Sequence, residues 1–301
     1  MRILVTNDDG VSAPGLAALT RALATWAGDQ HEIVVVAPSS NYSGAGAAVG
    51  SVTDRTTIAY QRAVVEGAPG VTAFGLDASP ALSVIAGALG AVGPKPDLVL
   101  SGINHGVNVG RSVLHSGTVG AALTAAQLGI SALAVSLRVG PPPEPWESAA
   151  DLAVALIPLL RAAPVRTVLN LNVPALPLAD IRGLRWAWVS GAGLIKAASG
   201  AGTWDAPNRP EREGPAAAEA AQSFIEGDLA DAGEIVLTVG SPFAAAEDPN
   251  QADQNDDATL VGLGYAALTA LRGPRADEDP ELLELLDAGL GPALSPFGFA
   301  G

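Results

Sequence analysis

The sequence predicts a doubly wound α/β fold with a mainly parallel, Rossmann-like sheet, and two observations support this prediction. Short, mostly apolar and often β-branched runs recur through the first 175 of the 301 residues, as expected of strands covered on both faces. The stretches between these runs have the apolar spacing of helices. Alternation of this kind indicates β-α-β units. The predicted strands cover residues 2–6, 32–37, 71–76, 97–101, 132–137 and 167–173.

Two of the intervening helices carry start signals. The first is predicted to begin near Pro14, a residue suited to a first helical turn, and it places leucines and a tryptophan on one face. The second follows Ser79 and Pro80, which match a capping serine and a first-turn proline. Between the second and third strands, the segment 51–66 is predicted to form a hairpin or another β excursion.

The alternation stops after about residue 175. We therefore predict a core over residues 1–175 and a C-terminal extension over residues 176–301 that belongs to the same structural domain. An alanine, glycine and proline-rich tract at about 196–220 is assigned no regular structure. Elsewhere in the extension, the sequence predicts strands at 186–191 and 234–240 and a terminal helix at 280–291.

Composition excludes several classes of protein. The formal net charge of −15 argues against a nucleic-acid polymer as partner, because that role needs a basic surface. The absence of cysteine excludes disulfides and thiolate metal sites. No apolar run is long enough to span a membrane, and the first residues lack the pattern of a secretory signal. A soluble, cytoplasmic protein without membrane contact is expected.

Polar residues follow the predicted strands at the edge where ligands bind in open parallel sheets. Asp8 and Asp9 come directly after the first strand, and Gly10 allows the chain to turn away. Two adjacent carboxylates repel each other unless a proton or a cation neutralises them. With serine and asparagine oxygens in neighbouring loops, this edge favours Mg²⁺, Mn²⁺ or Ca²⁺. The alternative is that both aspartates only cap the following helix.

A second small-residue segment predicts an anion site. Ser116, Gly117 and Thr118 open a helix, where free N–H groups and hydroxyls can bind phosphate. An ordinary helix cap explains the serine or the threonine equally well. His105 and His115 lie in the preceding loop region and are candidates for proton transfer.

Six blocks of the sequence resemble, in order, those of the SurE survival-protein family of metal-dependent 5'-nucleotidases. They are "ILVTNDDGVSAPGL", "VVAPSSNYSGAG", "PDLVLSGINHGVNVG", "SGTVGAALTAAQLGISALAVS", "LNLNVP" and "DDATLVGLGYAALTAL". The resemblance implies a Rossmann-like core, an extension that pairs with other subunits in a homodimer or homotetramer, and one divalent metal ion per subunit. The implied metal ligands are Asp8, Asp9, Ser43 and Asn104, and both aspartates are the implied catalytic residues.

The chain departs from the family pattern at three places. Ala81 to Val84 replace the usual Ala-Asp-Cys-Val, so an aspartate is missing, and Thr124 and Ala125 replace a Glu-Gly pair. His115 stands where an aromatic residue is common. Substrate choice, subunit contacts and rate are the properties that these departures affect.

The resulting hypothesis is hydrolysis of nucleoside 5'-monophosphates, with 3'-nucleotides and short polyphosphates as further candidate substrates. Asn7, Asn108 and the 116–118 turn are the predicted phosphate or substrate ligands. A serine hydrolase built on Ser43 lacks the G-x-S-x-G motif, and the motifs of ATPases and dinucleotide enzymes are absent. The remaining rival is a nucleotide-binding or assembly homologue with weakened catalysis. Its difficulty is that adjacent aspartates without a metal repel each other.

Overall fold

Apolar strands form a nine-stranded sheet in the computed structural model, which describes residues 1–191 and 255–273 together with the backbone of three short strands between them. The strands of the chain are β1 (Arg2–Thr6), β2 (Glu32–Pro38), β3 (Tyr60–Ala63), β4 (Thr72–Leu76), β5 (Leu98–His105), β6 (Ser131–Leu137), β7 (Val168–Val173), β8 (Leu184–Trp186), β9 (Ile195–Ser199), β10 (Gly202–Thr203), β11 (Val236–Val239) and β12 (Ala266–Leu271). Strands β9 to β11 form a separate antiparallel sheet in the order β10-β9-β11.

The large sheet has the order β3-β4-β2-β1-β5-β6-β7-β12-β8. Its six central strands, from β4 to β7, are all parallel, and each of the six predicted strands matches one of them. The chain order reverses at β1, which lies between β2 and β5. Ligands bind outside the carboxyl ends of the strands at such a reversal. The topology therefore places the end of β1, where Asp8 and Asp9 follow, at the centre of the favoured ligand-binding edge.

Helices cover both faces of the parallel strands, as predicted. The second helix is capped by Ser79, whose Oγ accepts a hydrogen bond from the backbone N–H of Leu82 at 3.2 Å. One face carries the first and fourth helices, and the other carries the second and third. Within the described residues, the α-helices are α1 (Pro14–Ala27), α2 (Pro80–Ala88), α3 (Gly117–Gln127), α4 (Trp146–Ala162) and α5 (Asp257–Gly262).

The core consists of two layers, one on each side of the sheet. Leu16, Leu19 and Leu23 of α1 are fully buried, and they belong to the layer that also contains residues of α4. The opposite layer is rich in alanine and valine from α3 and the strands. Burial of each large aliphatic side chain stabilises the fold by about 1.5–3 kcal/mol, so these layers hold the strand ends in place.

The region after residue 175 is where the sequence was least informative. The strand predicted at 186–191 is wrong in its position, because the strand ends at Trp186 after pairing in parallel with β12. β12 itself was not predicted, yet it pairs antiparallel with β7 and extends the main sheet. β11 lies within the predicted strand at 234–240, and β3 confirms a β excursion within 51–66.

The chain divides into one compact unit over Met1–Leu271 and a second over Arg272–Gly301. The helix predicted at 280–291 lies outside the described residues. The division between a core at 1–175 and an extension at 176–301 stays a prediction. Among the described residues, no helix is both long and apolar enough to cross a membrane.

Candidate metal and phosphate site

The paired aspartates lie at the carboxyl end of β1, as the sequence predicted. Asp8 is 3% exposed, whereas Asp9 is half-buried. Burial raises the pKa of Asp8 above its ordinary value of 3.8, hydrogen bonds from Thr118 lower it, and the neighbouring Asp9 raises it further. The turn that follows relies on Gly10, whose φ of 104° favours glycine. The fold thus holds a carboxylate in a position where its charge requires a partner.

The loop after β2, which carries Ser43, contacts both aspartates through the neighbours of Ser43. The backbone N–H of Tyr42 donates to the carbonyl oxygen of Asp8 at 2.7 Å. Asn41 connects the two segments, because its Oδ1 accepts from the backbone N–H of Ser43 at 2.8 Å and its Nδ2 lies 3.5 Å from Asp9 Oδ1. Ser43 is exposed, so its hydroxyl is accessible to a ligand from solvent.

The end of β5 contributes Asn104. Its Nδ2 donates to the carbonyl oxygen of Gly106 at 2.6 Å, so Oδ1 is the side-chain atom left for a cation. The next residue, His105, donates its backbone N–H to Asp9 Oδ2 at 3.1 Å. The strand pairing shifts register between Ser101 and Asn104, and this irregularity marks the approach of β5 to the sheet edge.

Helix α3 points its amino terminus at Asp8. Thr118 donates its hydroxyl to Asp8 Oδ1 at 2.5 Å, and the backbone of Thr118 also hydrogen bonds to Asp8. Gly117 lies directly against the carboxylate, since a Cβ built on it would be 2.8 Å from Asp8 Oδ2. Ser116 caps the helix by accepting from the backbone N–H of Val119 at 3.1 Å. A negative group is stabilised at this position by the helix dipole.

Two predicted phosphate ligands have their side chains in internal hydrogen bonds. Asn7 is fully buried, and its amide group exchanges two hydrogen bonds with the backbone of Gly10 at 2.9 and 3.2 Å. Asn108 is 7% exposed and donates its side-chain N–H to Ser136 Oγ at 2.9 Å. Both side chains organise the loops that carry the neighbouring polar groups.

A buried network behind the site was missed at the sequence level. Asn170 and Asn172, both fully buried on β7, donate to the carbonyl oxygen of Asn108 at 2.9 and 3.1 Å. The available signal was the pair of asparagines in the otherwise apolar run "VLNLNV". Asp257, at the start of α5, is also buried and accepts from the backbone N–H of Gly110 and Ser190. The network fixes the loop that leads from β5 to α3.

Asp257 gives a prediction for the pH dependence of stability. Burial raises the pKa of Asp257 above its ordinary value of 3.8, although hydrogen bonds from backbone N–H groups oppose the shift. The folded state therefore binds the Asp257 proton more tightly than the unfolded state does. The contribution of this proton to the free energy of unfolding is fully present below pH 3.8 and is lost as the pH rises through the folded pKa. Wild type and Asp257→Asn should be unfolded with urea, in chelator, at about pH 5 and about pH 8.

The expected result is that the unfolding free energy of wild type, minus that of Asp257→Asn, becomes smaller at the higher pH. The asparagine variant has no titration at this site, so the difference isolates Asp257. A difference that does not fall between the two pH values contradicts the prediction, because a carboxyl whose pKa is not raised is already ionised in both states at about pH 5.

A second group of residues beside Asp9 was not predicted as a unit. His105 Nε2 lies 2.5 Å from Glu144 Oε1, and the His105 ring is 5.7 Å from the ring of Trp146. Together with Asp9, these side chains line a cavity of about 390 Å³. The sequence showed His105 as a loop histidine, but nothing in its local pattern connected it with the loop before α4. A larger cavity of about 710 Å³ lies around Met1, Asp97 and Leu98, at the opposite ends of the strands.

The remaining departures from the family pattern lie inside helices. Leu82, which stands where the family has its aspartate, is half-buried in the first turn of α2. Thr124 donates its hydroxyl to the carbonyl oxygen of Gly120 at 2.7 Å within α3. His115 is exposed, and its carbonyl oxygen accepts from the backbone N–H of Gly46 at 3.0 Å.

The chemistry of the donor set fits a hard divalent cation. Asp8, Asp9, Ser43 and Asn104 all offer oxygen, the atom that Mg²⁺, Mn²⁺ and Ca²⁺ prefer. A cation also offsets the burial of Asp8 and its repulsion with Asp9. Among the described residues, no group of three or more histidine, aspartate and glutamate side chains is arranged to hold a metal. The mixed aspartate, serine and asparagine set therefore stays a predicted metal site, with a donor chemistry that suits such a cation.

Comparisons with known proteins identify the family of this chain. The family model described as "Survival protein SurE" matches residues 3–193. The "5'/3'-nucleotidase SurE" of Cronobacter sakazakii is 41% identical over 187 residues, which are 62% of this chain and 68% of that protein. The protein of the same name from Citrobacter koseri is 40% identical over the same shares.

A solved structure shows the same fold. The crystal structure of the SurE protein from Aquifex aeolicus superposes with a TM-score of 0.67 at 26% identity, covering 95% of this chain and 100% of that one. The matched family model includes β1, β5 and the start of α3, which together carry the paired aspartates and the groups around them. The chain belongs to the SurE survival-protein family.

Proposed function

We propose that this protein is a divalent-metal-dependent nucleotidase that hydrolyses nucleoside 5'-monophosphates to nucleoside and phosphate. The observation that carries the proposal is the position of Asp8, which is buried beside Asp9 and bonded to Thr118 at the amino terminus of α3. A cation and an anion can bind side by side at such a junction. The relatives named 5'/3'-nucleotidase support 3'-nucleotides as further substrates, and short polyphosphates complete the proposed range.

Asp8, Asp9, Ser43 and Asn104 would hold one metal ion per subunit, with Mg²⁺ or Mn²⁺ as the physiological ion and Ca²⁺ as a further occupant. An ion held there would supply Lewis-acid chemistry for the hydrolysis of a phosphate ester. Asp9 is partly exposed, so its carboxylate is accessible to water. In this proposal, the Asp9 carboxylate orients a water molecule for attack on phosphorus. The buried Asp8 is fixed by Thr118 and keeps its orientation throughout.

The phosphate lies at the turn formed by Ser116, Gly117 and Thr118. The backbone N–H groups of Thr118 and Val119 already bond to Asp8 and to Ser116 Oγ, so the N–H of Gly117 and the hydroxyl of Ser116 are the donors that this turn offers to the phosphoryl oxygens. Asn7 and Asn108 act on the substrate through the loops that they hold, since their amide groups bond to Gly10 and to Ser136.

A non-catalytic nucleotide-binding homologue is not favoured, because the chain has all four of the residues that the family pattern implies as metal ligands. We further propose that the protein acts in the cytoplasm as a homodimer or homotetramer, on small nucleotides and on neither nucleic-acid polymers nor membranes. The negative net charge of −15 supports the exclusion of polyanionic partners.

Phosphate release from a panel of nucleoside 5'- and 3'-monophosphates tests the proposed activity. Each nucleotide is incubated with wild type in Mg²⁺, in Mn²⁺ and in chelator. Release in either metal that stops in chelator is expected. Release that continues unchanged in chelator contradicts the metal requirement, and no release from any nucleotide contradicts the activity itself.

A further inference from the structure

The cavity beside Asp9 extends away from the phosphate side of the site. Asp8 contacts Gly117 and Thr118 of α3. Its neighbour Asp9 lines the cavity of about 390 Å³, which lies between the β1–α1 loop and the start of α4. Small-molecule pockets have volumes of about 300–1,000 Å³, so this cavity has room for a nucleoside. The two adjacent aspartates thus separate a phosphate-binding turn from a cavity of ligand size.

Three side chains line this cavity beside Asp9. His105 is joined to Asp9, because its backbone N–H donates to Asp9 Oδ2 at 3.1 Å. Glu144 contacts the His105 ring through Oε1, and its Oε2 has no partner among the described residues. The half-buried ring of Trp146 lies 5.7 Å from the ring of His105. The cavity beside the paired aspartates therefore offers a carboxylate and an aromatic surface.

We propose that this cavity binds the nucleoside part of the substrate, with sugar hydroxyls donating to Glu144 and the base packed against Trp146. This inference rests on the proposed nucleotidase activity and adds the residues that select a nucleotide over a simpler phosphate ester. A nucleoside carries a complement to each of these groups, since its sugar has hydroxyls for a carboxylate and its base has a flat face for an aromatic ring. The hydroxyls of Ser12 and Ser39 line the same cavity and supply further polar contacts.

Trp146→Ala tests the stacking surface. Stacking on the ring stabilises bound AMP but not bound ribose 5-phosphate, which has no base. The ratio of kcat/KM for AMP to kcat/KM for ribose 5-phosphate should therefore fall about tenfold in this variant. Trp146→Phe keeps an aromatic face and should restore most of the ratio. Glu147→Gln is the matched surface control, since Glu147 is exposed on α4 and pairs with Arg21 at 3.2 Å. A purely structural role of Trp146 lowers both kcat/KM values together and leaves the ratio unchanged, which overturns the proposal.

Glu144→Gln tests the sugar contact. The amide keeps the shape of the side chain but accepts hydrogen bonds less strongly than a carboxylate, so the preference for AMP over dAMP should fall about fivefold. An unchanged preference contradicts the assignment of Glu144 to the sugar.

Binding of adenosine separates this proposal from the proposed activity. Calorimetric titration with adenosine, in the presence of Mg²⁺, should show about tenfold weaker binding to Trp146→Ala than to wild type. If wild type hydrolyses no phosphate ester but adenosine binding depends on Trp146, the activity is wrong and the nucleoside cavity is supported. If wild type hydrolyses AMP, but Trp146→Ala changes neither adenosine binding nor the ratio of kcat/KM for AMP to that for ribose 5-phosphate, the activity stands and the cavity assignment is overturned.

Discussion

Asp8→Asn is expected to lower kcat/KM for nucleoside monophosphates at least about 100-fold while the fold is retained. The amide removes the buried negative charge that a cation needs, but it keeps the size of the side chain. The substitution also removes the repulsion between Asp8 and Asp9, so the metal-free variant should be as stable as metal-free wild type or more stable. Phosphate release and thermal unfolding, each with Mg²⁺ and with chelator, measure both effects.

The unfolding measurement distinguishes loss of metal from loss of structure. Metal at about 100 times its Kd should stabilise wild type by about 2.7 kcal/mol and should leave Asp8→Asn nearly unaffected. Asp151→Asn, on the exposed side of α4, is the matched control and should behave as wild type in both assays. Full turnover by Asp8→Asn means that the metal site has been assigned to the wrong residues.

Gly117→Ala is expected to lower activity by about 100-fold, because the added methyl group competes for space with Asp8. The new Cβ would lie 2.7 Å from Asp8 Cβ and 2.8 Å from Asp8 Oδ2, closer than non-bonded atoms approach. The carboxylate must move away from Thr118 and from the other metal ligands. Helix α3 itself should tolerate alanine, which has a higher helix propensity than glycine.

The appropriate control is a glycine whose surroundings are open. Gly70→Ala has nothing within 4 Å of the new methyl group and should leave activity at the wild-type level. Initial rates on AMP over a range of Mg²⁺ concentrations are the measurement, since displacement of Asp8 should also raise the metal concentration needed for half-maximal rate. Wild-type rates from Gly117→Ala mean that the carboxylate does not need its position against α3.

The parallel half of the fold and the meeting of polar loops at one edge of the sheet were accessible from the sequence for physical reasons. Strands buried on both faces leave long apolar runs, and every such run in the first 175 residues proved to be a strand. Polar residues directly after these runs must lie at one edge of the sheet, which is how Asp8 and Asn104 could be placed together. The contacts through Asn41 and His105 confirm that the loops meet around Asp9.

Long-range contacts could not be read in the same way. Strand β12 pairs with β7 although about 100 residues separate them, and the run "AALTAL" has no local feature that names its partner. Asp257 accepts a hydrogen bond from the backbone N–H of Gly110, which is 147 positions away in the sequence. Glu144 likewise reaches His105 from a proline-rich loop. Local patterns predict which residues form an element, whereas such pairings depend on how distant elements pack.

The hydrogen bond from the backbone N–H of Ser190 to Asp257 Oδ1, at 3.0 Å, joins residues that are 67 positions apart. A parallel bridge between Trp188 and Asp256 lies beside it. The chain therefore leaves the main sheet and returns to it at almost the same point, so the intervening residues are inserted at a closed junction. Because this junction is closed by its own hydrogen bonds, we expect a change in the length of the region between residues 191 and 255 to leave the strand ends that carry Asp8 and Asn104 in place.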